Sequence, residues 1–251
     1  MEFESDTKIP SDIQSEITKT EVGQTHEAAA AAEYLKDVAE EIAEMGVRER
    51  LLSRGYFRAL TDVKLAVVKT EGSNVDVSAT VVAELGEQFR TGEVRFKSAD
   101  PDKTLSRAPE GLRDLIPLKR GELLDVGKIR EGLRNLTDLY GRDGYIDMVA
   151  EPEFYIDDHK GIVDMTVSVD AGIQYRVRAI DFRGADPVLE RRLRESLQRS
   201  GEVVDKSRLD QFVFENASLF SSTADRVVQI HRDVYAGTID LMFDLRSCRA
   251  A

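Results

Sequence analysis

The chain has 251 residues, 41% hydrophobic and 33% charged, which allows one large domain or two to three small ones with apolar cores. Its net charge of −12 argues against nucleic acid as a partner, because phosphate binding relies on an excess of Lys and Arg. No apolar run approaches the roughly 18 residues of a transmembrane helix, and Cys248, the single cysteine, excludes an internal disulfide.

The N-terminal residues resemble no export signal. Met1–Asp6 lacks the basic and apolar regions of a secretory signal peptide. Two interpretations stay open: a cytoplasmic protein, or an exported protein whose signal was removed or is not part of this sequence.

The first 85 residues contain the pattern of one helix followed by two strands. We expect the helix at about 28–45, a turn at 53–57, and strands at about 62–69 and 74–82. Residues 1–27 leave little room for an opening strand and another helix, so a truncated or degenerate start is one of the possibilities.

One motif occurs twice. The pattern G-x-Q-[FY]-R-x-x-x-[VI]-x-F spans Gly86–Phe96 and recurs after 86 residues at Gly172–Phe182. That period has the size of a small domain, which indicates tandem modules at 1–85, 86–171 and 172–251. No Gly/Ser-rich linker separates the modules, so we expect limited flexibility between them.

Similar elements follow each copy of the motif. A short helix (109–115; 188–198) precedes the shared unit G-E-[LV]-[LV]-D (121–125; 201–205), then a second helix (126–140; 206–216) and two strands (148–156 and 162–169; 226–232 and 238–245). The aspartate of the shared unit is an expected N-cap. The order β-α-α-β-β predicts α+β modules, each a three-stranded mixed sheet packed against two helices.

A glycine–tyrosine turn follows the second helix in two modules. Gly55-Tyr56 and Gly144-Tyr145 are interpreted as structural turns, with Gly at positive φ and Tyr packed beneath the next strand. The last module carries Asn216–Phe220 instead, so we expect a different backbone conformation there.

The β-α-α-β-β order, the motif that enters each first strand and the Gly-Tyr turn together resemble POTRA domains. These are the polypeptide-transport-associated modules of outer-membrane assembly and translocation proteins. The resemblance implies a non-enzymatic envelope protein in the periplasm or at the outer-membrane periphery of a Gram-negative-type bacterium. Because Leu245–Ala251 looks like a stop just past the last strand, the expected form is POTRA-only, without a β-barrel.

The resemblance also implies where partners bind. POTRA modules expose their second strand, to which an extended peptide adds through main-chain hydrogen bonds. The expected partners are unfolded or extended client polypeptides, or outer-membrane assembly proteins. The alternative is a scaffold or spacer that binds a partner protein through its helical faces. The candidate partner-binding residues are Val63, Lys64, Leu65, Val149, Glu151, Glu153, Tyr155, Val227 and Gln229.

The sequence offers no pattern of reactive residues. His26, His159 and His231 have no second ligand at metal spacing, and no nucleophile or phosphate-binding motif occurs. We therefore expect no catalytic, metal-binding or cofactor-binding residues.

Overall fold

The computed structural model describes residues 2–5, 9–21, 32–71, 74–220 and 228–245. The chain divides into two compact units, one of residues 1–94, 116–131 and 154–165, the other of residues 95–115, 132–153 and 166–251. Each unit contains one copy of the segment G-x-Q-[FY]-R. The module boundaries near residues 86 and 172 stay a prediction.

The predicted order of helices and strands is present. The described helices are α1 (Ser11–Glu21), α2 (Ala32–Glu41), α3 (Glu49–Leu52), α4 (Pro109–Arg113), α5 (Val126–Arg142), α6 (Pro187–Ser196) and α7 (Lys206–Glu215), with a π-helix at Ile42–Arg48 and a 3₁₀ turn at Ala217–Leu219. The strands are β1 (Glu2–Ser5), β2 (Leu60–Glu71), β3 (Asn74–Glu84), β4 (Arg90–Ser98), β5 (Val149–Asp157), β6 (Ile162–Asp170), β7 (Arg176–Arg183), β8 (Val228–Asp233) and β9 (Thr238–Asp244).

The strands form three sheets of one topology. Their orders are β1-β3-β2, β4-β6-β5 and β7-β9-β8, so the third strand of each set is central. In the first and last sheets the central strand pairs parallel with the first strand and antiparallel with the second. This confirms the predicted α+β class with three-stranded mixed sheets.

The start of the chain contains a strand and a helix. The strand β1 and the helix α1 both lie before residue 22. Ile13 and Ile17 are at most 1% exposed because a spacing of four residues places them on one face of α1, and Ile9, just before the helix, is also buried. They pack in one core with Val47 and Leu51. The strand β1 pairs with β3 and completes the first three-stranded sheet.

The helix predicted at 28–45 has a different form. Residues 28–31 lie outside the described residues, and α2 runs into the π-helix Ile42–Arg48 and then into α3. Within this segment the Arg50 guanidinium donates to the Gly46 carbonyl. Periodicity predicts a helix but cannot distinguish α from π hydrogen bonding.

The two helices of the last module begin at aspartate caps. The Asp186 carboxylate accepts from the backbone N–H of Val188 and Leu189, just before Pro187 opens α6. The Asp205 carboxylate accepts from Ser207 and Arg208 at the start of α7, which confirms this predicted cap. Both carboxylates bind N–H groups that have no partner within the helix.

Aromatic side chains fill the core of the last sheet. Phe243 of β9 stacks on Phe182 of β7 with ring centroids 5.0 Å apart and meets Phe212 of α7 edge-on at 5.1 Å. Ile239, Leu241 and Phe243 are all fully buried because alternate residues of a strand point to the same face. The helices therefore cover one face of this sheet.

Candidate functional site

The strands predicted to bind partners lie at sheet edges. In each sheet order the second strand (β2, β5 or β8) is an outer strand, with one neighbouring strand among the residues that the structure describes. Such a strand presents backbone N–H and C=O groups to an added strand.

The edge strand β5 presents one alternating exposed face. Val149, Glu151, Glu153 and Tyr155 are exposed, while the residues between them are half-buried. Val149 is 50% exposed and Tyr155 is 56% exposed. Glu153 lies 3.0 Å from the Lys97 ammonium, so its carboxylate already has a partner on this face.

In the edge strand β2, fewer of the candidate partner-binding side chains are exposed. Val63 is 4% exposed and Leu65 packs against the same core, so these two side chains face inward. Lys64 is exposed between them. Val63 and Leu65 could offer a partner only their backbone groups, because side chains alternate between the faces of a strand.

The edge strand β8 is short. Gln229 is exposed, and Ile230 packs against the last core. Val227 lies outside the described residues.

The opposite edge is covered at its beginning in two sheets. Residues of the G-E-[LV]-[LV]-D unit form isolated bridges to the first strand, Arg90 with Leu123 and Arg176 with Val203. The N–H of Thr91 donates to the Glu122 carbonyl at 2.8 Å, and the N–H of Val177 donates to that of Glu202 at 2.9 Å. Among the described residues of the central and last sheets, this contact covers part of the first-strand edge, and no equivalent bridge is seen at the second-strand edge.

The repeated motif makes the same contacts twice. We call residues 86–90 with the turn at Gly55 the first junction, and residues 172–176 with the turn at Gly144 the second junction. The Gln88 amide donates to the Arg54 carbonyl at 2.9 Å, and the Gln174 amide donates to the Asp143 carbonyl at 2.8 Å. The motif therefore binds the turn that follows the preceding second helix.

Backbone and arginine contacts complete each junction. The N–H of Phe89 donates to the Gly55 carbonyl at 2.8 Å, and the N–H of Tyr175 to the Gly144 carbonyl at 2.9 Å. The guanidinium groups of Arg90 and Arg176 donate to the carbonyls of the two G-E-[LV]-[LV]-D glycines at 2.8 and 2.9 Å. The two aromatic side chains are at most 2% exposed. Burial and these bonds make each junction a packed contact without an intervening linker.

The two turn glycines have the expected backbone. Gly55 has φ +86° and Gly144 has φ +87°, which confirms the predicted positive φ. Tyr145 meets the buried Tyr140 edge-on at 5.8 Å, and Tyr56 packs against the first core. The last module has a 3₁₀ turn at Ala217–Leu219 in place of this glycine turn, so its backbone differs as expected.

Burial and a neighbouring carboxylate at the second junction both raise the pKa of a tyrosine. Burial, followed by a hydrogen bond to Asp147, raises the pKa of Tyr175 above its ordinary value. The bond to Asp147 raises the pKa because the protonated hydroxyl donates to the carboxylate and the deprotonated form cannot.

No reactive cluster is visible in the part of the chain that the structure describes. Its His, Asp and Glu residues form no group of three that could hold a metal ion, and His159 and His231 are exposed. His26 and Cys248 lie outside the described residues. A cleft of roughly 300 Å³ is lined in part by Met45, Leu52 and Val126.

The model of the POTRA family, described as a surface antigen variable number repeat, matches residues 91–172. This match is to one domain's length, about a third of the chain. The matched residues include the POTRA sheet β4-β6-β5 and its exposed edge strand β5. None of the helices in the described residues is long and apolar enough to cross a membrane.

Relatives extend the likeness beyond this POTRA domain. A putative outer membrane protein assembly factor of Treponema pallidum (strain Nichols) is 28% identical over 179 residues, which are 69% of this chain and 20% of that protein. The chain thus spans about one fifth of the length of this curated relative. A crystal structure of Haemophilus influenzae BamA POTRA3-5 superposes with a TM-score of 0.68 at 18% identity, over 98% of this chain and 95% of that chain. The POTRA fold therefore extends over all three sheets.

Proposed function

We propose that this chain binds extended polypeptides at the second-strand edges of its POTRA sheets, as a non-enzymatic component of outer-membrane protein assembly. The bound segments would belong to client polypeptides or to partner assembly proteins. The POTRA match and the assembly-factor description of the Treponema pallidum relative support this role. They also support a location in the periplasm or at the periplasmic side of the outer membrane of a Gram-negative-type bacterium.

The observation that carries the proposal is the asymmetry of the sheet edges. In the central and last sheets, the G-E-[LV]-[LV]-D unit covers the beginning of the first strand, whereas the second strand is an outer strand. Main-chain hydrogen bonds to such a strand give affinity that depends little on the sequence of the peptide. This property suits clients of many sequences.

The strand β5 is the strongest candidate among the three edges. Four alternate side chains are exposed on one of its faces, and they combine apolar, acidic and aromatic groups. Pro152 lies in the middle of the strand and has no N–H, which limits uncontrolled pairing along this edge.

Backbone amide shifts test the proposal directly. A peptide from an unfolded outer-membrane protein is added in excess to the full chain, and the amide resonances are followed by NMR. We expect the largest shifts in 149–155, with smaller ones in β2 and β8. The absence of shifts in all three strands at high peptide excess would contradict binding by strand addition.

Two proline variants sharpen the test. Neighbouring N–H groups of a strand point to opposite sides, so Ala150→Pro and Glu151→Pro remove one N–H that faces β6 and one that faces outward. The variant that keeps native stability to denaturant has lost the outward N–H, and we expect it to bind the peptide more weakly than the unmodified chain. Unchanged binding by this variant would contradict the proposal.

A helix variant separates the scaffold alternative. Asp138 is exposed on α5, and Asp138→Lys changes a helical face without touching an edge strand. Strand addition predicts unchanged peptide binding by Asp138→Lys. Binding that is lost in Asp138→Lys but retained in the stable proline variant would instead favour a scaffold that binds through helices.

A further inference from the structure

Equivalent positions of the two junctions carry opposite charges. Arg58 and Asp147 each lie three residues after the turn glycine, Gly55 or Gly144. The aromatic position of the motif differs as well, being Phe89 in the first junction and Tyr175 in the second.

The first junction combines an aromatic ring, a cation and a carboxylate. The guanidinium carbon of Arg58 lies 5.7 Å from the centroid of the buried Phe89 ring, within the range of a cation–π contact. The same guanidinium bonds both carboxylate oxygens of Asp158, at 3.1 and 3.2 Å, in the turn between β5 and β6.

The second junction combines the same three kinds of group with the charges exchanged. The carboxylate of Asp147 accepts from the Tyr175 hydroxyl and lies 3.0 Å from Nε of Arg232 in β8. The proton of a buried hydroxyl needs an acceptor, which a carboxylate supplies; a guanidinium can only donate to the hydroxyl oxygen, because arginine has no acceptor. A phenylalanine ring has no such need and can face a cation.

We propose that these two triads, Phe89–Arg58–Asp158 and Tyr175–Asp147–Arg232, make each turn selective for the hairpin of its own neighbouring module. An exchanged pairing would place Arg58 opposite Arg232, or Asp147 opposite Asp158, and like charges in contact disfavour a wrong partner. The backbone bonds cannot provide this selectivity because they are the same in both junctions. The side chains therefore favour docking of each turn against the hairpin that follows it along the chain.

Charge reversal in the full chain tests the inference. The variants Arg58→Asp, Asp158→Arg and the double variant are compared by hydrogen exchange of the Phe89 amide, which bonds the Gly55 carbonyl at 2.8 Å. Arg58 and Asp158 are about half exposed, so we expect each single reversal to speed exchange about threefold to fivefold. The double reversal should return exchange to within about twofold of the original. Lys36→Glu makes the same charge change on α2 and should leave this amide unchanged.

Two further variants test the role of the aromatic residue. Adding Phe89→Tyr to the double reversal reproduces the chemistry of the second junction. We expect the backbone amide at position 89 to exchange more slowly in this triple variant than in the double variant. Tyr175→Phe keeps the ring and should speed exchange of the Tyr175 amide only.

Two results would overturn the inference. One is unchanged exchange in both single reversals. The other is exchange in the double reversal as fast as in the faster single variant, since that shows no coupling between the two charges.

Discussion

Four glycines share one backbone conformation but differ in their surroundings. Gly55, Gly144, Gly121 and Gly201 have φ between +85° and +87°. A Cβ at Gly55 would lie 2.9 Å from the Phe89 carbonyl oxygen, and one at Gly144 would lie 2.9 Å from that of Tyr175. A Cβ at Gly121 or Gly201 would meet nothing within 4 Å. The first two glycines therefore serve packing at the junctions as well as backbone conformation.

The matched pair Gly144→Ala and Gly201→Ala separates these two effects. Gly201→Ala carries only the cost of a side chain at positive φ, about 1–2 kcal/mol. Gly144→Ala adds a forced shift of the Tyr175 backbone and Val203, so we expect a loss of stability larger by at least about 1 kcal/mol. Urea denaturation of both variants measures the difference. Equal losses would show that the junction yields freely around the added methyl group.

The sequence predicted the conformation of these turn glycines but not their contacts. A glycine after a helix, followed by tyrosine, indicates positive φ from local chemistry alone. The partner of Gly55 lies 34 residues later, at Phe89. The acceptor of the Arg58 ion pair, Asp158, is 100 residues away. Contacts between residues so far apart in the sequence leave no pattern in the local sequence from which they could be predicted.

At the scale of elements, α7 depends on its cap. The Asp205 carboxylate accepts from two backbone N–H groups and from the Ser207 hydroxyl. The preceding segment places this aspartate, since the Asp205 N–H donates to the Gln198 side chain at 2.9 Å. The start of α7 is therefore held by two sets of bonds to Asp205, one through its backbone N–H and one through its carboxylate.

Removing this cap should destabilise the protein by about 0.5–2 kcal/mol. We expect that loss for Asp205→Ala and a much smaller one for Asp205→Asn, because asparagine caps helices about as well as aspartate. Asp210→Ala is the matched control on the same helix. Its ion pair with Lys206 is exposed and should contribute less than about 1 kcal/mol. Thermal or urea denaturation gives the order, and a loss in Asp210→Ala as large as in Asp205→Ala would contradict the role of the cap.

The positions of the helices and strands were predictable from periodicity. Which face of each one packs against the core was only partly predictable. The strand β2 was predicted at about 62–69 and spans Leu60–Glu71. The alternation of Val63 and Leu65 with Lys64 contained the signal that two of these residues face the core. That signal conflicts with using their side chains to contact a partner. The short α1 gave a weaker pattern, with only two isoleucines four residues apart, and the strand β1 before it has only four residues.

At the scale of the whole molecule, the net charge of −12 acts on every partner that approaches. A field of one sign speeds association with oppositely charged partners and slows it with like-charged ones, and salt screens both effects. Selectivity among extended peptides should thus depend on their charge even where their backbones bind alike.

Association rates at varied salt concentration check this expectation. For a basic extended peptide, we expect the association rate to fall as salt is raised, with a smaller change in the dissociation rate. An acidic peptide of equal length and apolar content is the control, and its association rate should rise with salt. The same salt dependence for both peptides would exclude steering by the net charge.

The motif that recurs after 86 residues indicated repeated units, and the structure has three sheets of one topology, whereas the module boundaries stay a prediction. The exchange of charge between the junctions was not predictable, since the motif itself is the same in both copies. Only the structure brings Arg58 to Asp158 and Asp147 to Arg232.

The bond between each turn glycine and the following motif has a mechanical consequence. The Phe89 N–H joins the Gly55 carbonyl directly, and the Tyr175 N–H joins that of Gly144, so each bond closes a loop at its base. Residues 56–88 contain β2 and β3, and residues 145–174 contain β5 and β6. Tension along the chain can pass across these closed bases and bypass the strands between them. A peptide that pulls on β2 or β5 would then pull on the segment inside the closed loop. The hydrogen bond at the base of that loop, and the chain on either side of it, would stay in place.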